Sequence, residues 1–298
     1  MSVPAVRLQR NLTVNGLAGL LADELDRISA DTFRPLESIA VHEFVSPDGL
    51  TVYGHLSLPA GPGPHPAVVV CTSGAGGALD EAGRYAQISE HAPLRAAGFA
   101  VLTVDHRGAP GHGADYRARA VMGGGEIDDV VAAGRYLAEL PHVDAARLSI
   151  LGTSRGAYSA LLALAREPSL WHRAVLVMGF YDPALLVAAE QANPGSLLPM
   201  LAGIGPSEFL AYIADPQRQP LSMLDAISAP LLLVHGDADE VVPLTQALDL
   251  VGRAERLGLA AQLATVAGLG HDNDHTDEVW AGLWPQIAHF LGEEPHDS

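Results

Sequence analysis

The sequence predicts an α/β architecture, a mostly parallel central sheet with helices on both faces, and three observations lead to it. From Ala67 onward, short and nearly continuous apolar runs alternate with stretches of helical periodicity. Strands covered on both faces read this way because neither face meets water. One run, Leu148-Ser149-Ile150-Leu151, passes through Gly152-Thr153-Ser154-Arg155-Gly156 directly into the helix-like stretch 157–165. A Gly-x-Ser-x-Gly segment acquires mechanical meaning only in that strand-turn-helix setting.

Taken in order, residues 1–40 carry Leu17, Leu20, Leu21, Leu25 and Ile28 at helical spacing and predict a helical extension packed on the main domain. Residues 41–45 and 50–58 read as an antiparallel pair joined at Ser46-Pro47-Asp48-Gly49, a strong turn signal. Strands follow near Val68, Val101, Ile150, Val175, Leu232 and Leu263, with helical patterns at 86–97, 127–140, 157–165, 244–257 and 278–291. The stretch 181–228 breaks this rhythm. Pro183, Pro194, Pro199, Pro206, Pro216 and Pro220 interrupt short apolar segments such as Leu197-Leu198-Pro199-Met200-Leu201, so long regular helices are not expected there. Lying between the sixth and seventh strands, it reads as a lid over the Ser154 pocket or as an excursion packed on the sheet. The main domain is thus expected to span 41–292, leaving 293–298 as a tail.

Composition narrows the function. With 298 residues and 48% hydrophobic content, one large α/β domain with a sizeable core is expected. A formal charge of −18 argues against nucleic acid as a partner, because phosphate binding draws on clustered basic residues. All 17 basic residues are Arg and none is Lys, which excludes Schiff-base chemistry, a P-loop lysine and a Ser-Lys dyad. Cys71, the single cysteine, permits neither an intramolecular disulfide nor a cysteine-based zinc site and is expected in the core. Residues 1–19 lack the apolar core of a signal peptide, and no run approaches membrane-spanning length. The expectation is a soluble, cytoplasmic protein without cofactor or metal.

A strand turning sharply into a helix would strain Ser154 and push its hydroxyl into open space, while Gly152 and Gly156 let strand and helix approach. The helix N-terminus and the amide of Arg155 would favour negative charge developing on a carbonyl oxygen. A serine hydroxyl needs a histidine base and a carboxylate to fix that base's tautomer. His271, in the loop Ala267-Gly268-Leu269-Gly270-His271 after a strand-like run, is the candidate base. The run Pro230-Leu231-Leu232-Leu233-Val234 ends in His235-Gly236-Asp237-Ala238-Asp239, where Asp239 is taken as the acid and Asp237 as its alternative. A competing reading has His271, Asp272, Asp274 and His275 binding a divalent ion. A second backbone donor is expected from Thr72-Ser73-Gly74-Ala75-Gly76-Gly77, with the amide of Ala75 as the candidate.

With these residues placed, the chain resembles an α/β-hydrolase, and most closely the catalytic domain of the prolyl oligopeptidase family with its dienelactone-hydrolase-like relatives. The order Ser, Asp, His is the order of that fold. Asp105-His106-Arg107-Gly108 resembles the family motif after the fourth strand, which implies that Arg107 buttresses the active-site loops. Asp128-Asp129-Val130 and Val143-Asp144 resemble the approach to the elbow, and 221–243 with Gly270-His271 resemble the closing pattern. The resemblance covers most of 40–292. Departures from it are specific. Family elbows continue with an aromatic and two glycines where this chain has Arg155-Gly156-Ala157-Tyr158, and nothing in 73–77 replaces the family's oxyanion-loop Tyr hydroxyl. Dienelactone hydrolases carry a cysteine where this elbow holds Ser154. The peptidases place a β-propeller ahead of the domain, which about forty residues cannot form.

The expected activity is hydrolysis of an ester, thioester or amide of a small acyl substrate through a covalent acyl-enzyme. Acyl transfer or cyclisation by the same three residues is the second reading, and a non-catalytic hydrolase fold that binds a ligand is the third. Oligomeric state is left open by the sequence.

Overall fold

The computed structural model describes residues 40–71, 90–109, 111–195, 205–271 and 278–294. Its eight strands are β1 (Ala40–Val45), β2 (Thr51–Ser57), β3 (His65–Cys71), β4 (Ala100–Asp105), β5 (Val143–Thr153), β6 (Ala174–Val177), β7 (Leu231–Gly236) and β8 (Ala261–Val266). They form one sheet in the order β1-β2-β4-β3-β5-β6-β7-β8. β1 pairs with β2, and β2 with β4, antiparallel; every other neighbour is parallel. The expected hairpin closes at Gly49, whose φ of 85° permits its N–H to reach the Ser46 carbonyl at 2.9 Å.

From β3 the chain moves outward to β4 and then returns to β5 on the other side of β3. That reversal opens a crevice at the carboxyl ends of β3 and β5, where ligands of such sheets bind. Helices α1 (His91–Ala96), α2 (Ala114–Arg117), α3 (Gly125–Ala138), α4 (Arg155–Arg166), α5 (Pro183–Ala192), α6 (Pro206–Ala214), α7 (Thr245–Leu257) and α8 (Glu278–Gly292) complete the described chain. Successive residues of β3 alternate between two cores. Val69 and Cys71 join Val130 of α3 and Leu161 of α4 on one face, while Val68 and Val70 join Leu94 of α1 and Trp280 of α8 on the other. Burial pushes the Cys71 thiol far up, as expected of a core cysteine.

The stretch 181–228 contains α5, α6 and two 3₁₀ turns, Pro216–Arg218 and Pro220–Ala226. Each begins with a proline. Read from sequence, these prolines interrupt structure; in the fold they open it, because a residue in the first turn has no helical carbonyl to lose. Residues 196–204 of this stretch, and 1–39 of the expected helical extension, lie outside the described residues. None of the described helices is long and apolar enough to cross a membrane.

One buried histidine ties a helix to the sheet. His91 of α1 bonds Ser57 Oγ of β2 through Nδ1 and Thr103 Oγ1 of β4 through Nε2, both at 2.7 Å. Burial lowers its pKa from 6.5 to about 3, helped by the charges of His55 and Arg95. Between those values the unfolded chain binds a proton that the folded chain refuses, so stability is full above pH 6.5 and falls as pH drops towards 3. Chemical denaturation followed across pH 3–7 should show a loss from this residue of up to about 1.4 kcal/mol per pH unit. His91→Gln, which keeps a donor and an acceptor but does not titrate, should flatten that slope.

Candidate active site

The elbow follows from the backbone of three consecutive residues. β5 ends at Thr153, Ser154 adopts φ 55° and ψ −117°, and α4 starts at Arg155. Such a conformation costs a serine on the order of 1–3 kcal/mol and persists only where the surroundings impose it. Here they do. Ser154 N–H donates to the Val177 carbonyl at 2.8 Å, while the Ser154 carbonyl accepts from Ala157 and Tyr158 N–H in the first turn of α4. Behind the turn, a Cβ at position 152 would lie 2.2 Å from the Gly156 carbonyl oxygen, so strand and helix meet where only glycine fits.

Two further loops leave the same edge of the sheet. After β7 the chain presents Asp239, whose side chain is fully buried. Its Oδ1 accepts the N–H groups of Val241 and Val242 at 2.9 and 2.7 Å. Its Oδ2 lies 2.7 Å from Nδ1 of His271, and Nε2 of that imidazole lies 3.0 Å from Ser154 Oγ. With Nδ1–H donating to the carboxylate, Nε2 keeps its lone pair for the hydroxyl. The two loops are stitched together. Gly268 N–H donates to Asp237 Oδ1 at 2.7 Å, Ala238 N–H donates to the Leu269 carbonyl at 3.1 Å, and a Cβ at Gly236 would lie 2.0 Å from that same oxygen.

This arrangement coincides with a family match, since a model for the prolyl oligopeptidase family aligns with residues 85–290. The chain belongs to the prolyl oligopeptidase family. It is 26% identical over 165 residues to the acylamino-acid-releasing enzyme of Sus scrofa, covering 51% of this chain and 21% of that one. It is 25% identical over 211 residues to the uncharacterized peptidase YtmA of Bacillus subtilis (strain 168), covering 70% of this chain and 77% of that protein. Among solved structures, the Pyrococcus horikoshii acylaminoacyl peptidase superposes with a TM-score of 0.71 at 19% identity, over 89% of this chain and 43% of that one. That likeness shows a common α/β-hydrolase fold. The chain spans between 21% and 28% of the length of several curated relatives it matches.

Within this prolyl oligopeptidase family member, the structure brings Ser154, His271 and Asp239 into one hydrogen-bonded row. Asp237, the alternative acid, faces the Gly268 amide instead and braces the loop that carries His271. Arg155 is the first residue of α4, so its N–H is free of the helical ladder, as the expected oxyanion donor requires. Ala75 lies outside the described residues, as do Asp272, Asp274 and His275 of the competing metal reading. His271 itself is engaged with Ser154 and Asp239, and among the described residues no group of three or more His, Cys, Asp or Glu is placed to hold a metal ion.

Arg107 is bonded to α3 and to the β1–β2 turn. Its N–H and Nε bond Asp129 Oδ2 at 2.8 and 2.9 Å and its Nη2 bonds Asp129 Oδ1 at 2.7 Å, fixing the first half of α3. Nη1 reaches Asp48 Oδ2 at 2.6 Å, so one guanidinium also holds the β1–β2 turn. That contact, with the Leu50 amide, lowers the Asp48 carboxyl to about 2. Two other carboxylates were given no role of their own by the sequence. Glu126 is buried at the start of α3, accepts Gly123 N–H at 2.6 Å and stands 3.7 Å from the Arg155 guanidinium. Asp105 Oδ2 receives both His55 Nε2 and His112 Nε2, at 2.9 and 3.0 Å, beside the carboxyl end of β4.

Proposed function

We propose that the chain is a serine hydrolase that cleaves amide or ester bonds of small acyl substrates through an acyl-enzyme. The observation that carries this reading is the unbroken row from Asp239 Oδ2 through both nitrogens of His271 to Ser154 Oγ. Ser154 Oγ attacks the carbonyl carbon as its proton moves to His271 Nε2, and Asp239 stabilises the resulting imidazolium. The tetrahedral oxyanion accepts a hydrogen bond from the N–H of Arg155, a donor worth on the order of 3 kcal/mol in such sites. Nε2–H then protonates the departing amine or alcohol, and water, activated by the same nitrogen, releases the acid and restores Ser154.

Amide substrates are favoured by the names of the relatives: an acylamino-acid-releasing enzyme in sequence, and in structure a puromycin-hydrolyzing peptidase of Mycobacterium tuberculosis at a TM-score of 0.69. The described part of the insertion is fastened to the helix that follows Ser154. Tyr158, one turn beyond Ser154, donates its O–H to the Arg218 carbonyl at 2.7 Å and stacks on Phe180, with Tyr212 edge-on. Glu208 Oε1 accepts both Met122 N–H and Arg218 Nη1 at 2.9 Å.

A fluorophosphonate probe should label Ser154 and no other residue. Ser154→Ala should lose labelling and lower turnover of acyl-aminoacyl anilides and short-chain esters on the order of 10⁶-fold. Turnover by Ser154→Ala at the parental rate would sink the assignment.

A further inference from the structure

We propose that His235 is a positioning residue that holds Asp239 in register with His271, an inference that rests on the hydrolase reading above. His235 ends the run Leu231-Leu232-Leu233-Val234 in β7, where an aliphatic side chain would serve the core equally well, and it is 1% exposed. Its Nε2–H donates to the Val242 carbonyl at 2.9 Å. The N–H of that same Val242 donates to Asp239 Oδ1 at 2.7 Å. Val242 is thus gripped at both ends, by the carboxylate it supports and by an imidazole rooted in the sheet. The ring closes on itself, since His235 Nε2 also stands 3.5 Å from Asp239 Oδ2, the oxygen that receives His271 Nδ1–H.

The donor must be neutral for this geometry to serve the chemistry. A cation beside Oδ2 would compete for the charge that stabilises the His271 imidazolium. Burial holds the His235 imidazole below its ordinary range, and the Val242 carbonyl and Asp239 oppose this only in part while His271 adds to it. The ring therefore carries a single proton on Nε2, directed at Val242. An apolar residue at 235 would leave a buried carbonyl without a donor and free the loop that carries the acid.

Two variants separate positioning from packing. Gln places its amide near the Nε2 position, whereas the Asn side chain is too short to reach Val242. Turnover is measured per Ser154 titrated with a fluorophosphonate, alongside the low-field proton resonance of the Asp239–His271 hydrogen bond. H235Q is expected to retain kcat within about threefold. H235N is expected to lose about tenfold in kcat with KM within twofold, because a small displacement of the acid misorients the base; its low-field resonance should shift or broaden. Parental kcat per titrated site in H235N, or equal losses in both variants, would overturn the proposal. A reading that needs no variant is long-range ¹⁵N–¹H correlation in the parent chain: His235 should be the Nε2–H tautomer, and the Nδ1–H tautomer refutes the assignment. If the parent chain fails to titrate at Ser154, the hydrolase reading falls and takes this one with it. If it titrates and the variants behave alike, only the role of His235 falls.

Discussion

Asp239→Asn should lower kcat about 10⁴-fold while leaving the fold and its melting temperature nearly unchanged. Its Oδ1 accepts two amides, Val241 and Val242, so an asparagine at this position must keep its carbonyl oxygen there. The new NH₂ group is forced towards His271 Nδ1. That nitrogen must then accept, the ring proton moves to Nε2, and the base faces Ser154 with a proton where a lone pair is needed. Kinetics with an acyl-aminoacyl anilide, paired with thermal unfolding, checks both halves of the expectation, and a loss below tenfold would remove Asp239 from the mechanism. Asp237→Asn is the matched control. Its Oδ1 accepts one N–H from Gly268, a bond that an asparagine carbonyl preserves, so kcat should stay within a few-fold.

The largest effect on stability is expected from Gly152→Ala. The added Cβ would meet the carbonyl oxygen of Gly156 at 2.2 Å, its carbonyl carbon at 2.3 Å and the amide nitrogen of Ala157 at 2.6 Å. All three are backbone atoms of the first turn of α4, so no rotamer change can relieve the clash; helix and strand must separate, and the elbow opens. Overpacking of this kind costs about 3 kcal/mol or more, read as a fall of roughly 6–12 °C in Tm. Gly258→Ala sets the scale. Gly258 caps α7 with φ 73° and has nothing within 4 Å of its would-be Cβ. Only the left-handed backbone is penalised there, by about 1 kcal/mol. A Gly152→Ala variant no less stable than Gly258→Ala would mean that β5 and α4 are not packed as described.

What the sequence made legible depended on how far the evidence had to reach along the chain. The apolar runs that became β3, β4, β7 and β8 are local, and the strand expected near Leu263 forms at Ala261–Val266. The elbow is local as well. Ser154 and His271 lie 117 residues apart, yet flanking glycines and chain order single out each one without knowledge of their contact. The choice between Asp237 and Asp239 was harder, because both sit in one turn and differ only in which amides face them. His91, His235 and the span from Arg107 to Asp48 were beyond reach. Their partners are fixed by sheet register and helix docking: β2 lies antiparallel to β4 with His55 opposite Thr103, which sets Ser57 and Thr103 about the His91 ring. A histidine in a core strand and an arginine after β4 carry no local mark of such partners. In 181–228 the described helices stay short, as the prolines lead one to expect, and Pro183, Pro206, Pro216 and Pro220 each stand at the start of an element, since a proline breaks a helix from within and founds one from its first turn.

β6 has four residues and contributes no side chain to the reacting row, yet its end is hydrogen-bonded on both sides. Val177 takes the N–H of Ser154, and Met178 gives its own N–H to Val234. The strands that deliver the hydroxyl and the carboxylate are therefore two sheet spacings apart, each about 4.8 Å. This separation is quantised like the teeth of a gear. Lengthening or exchanging a connecting loop alters what can enter the crevice, but the spacing of the two strands behind it can change only by gaining or losing a whole strand.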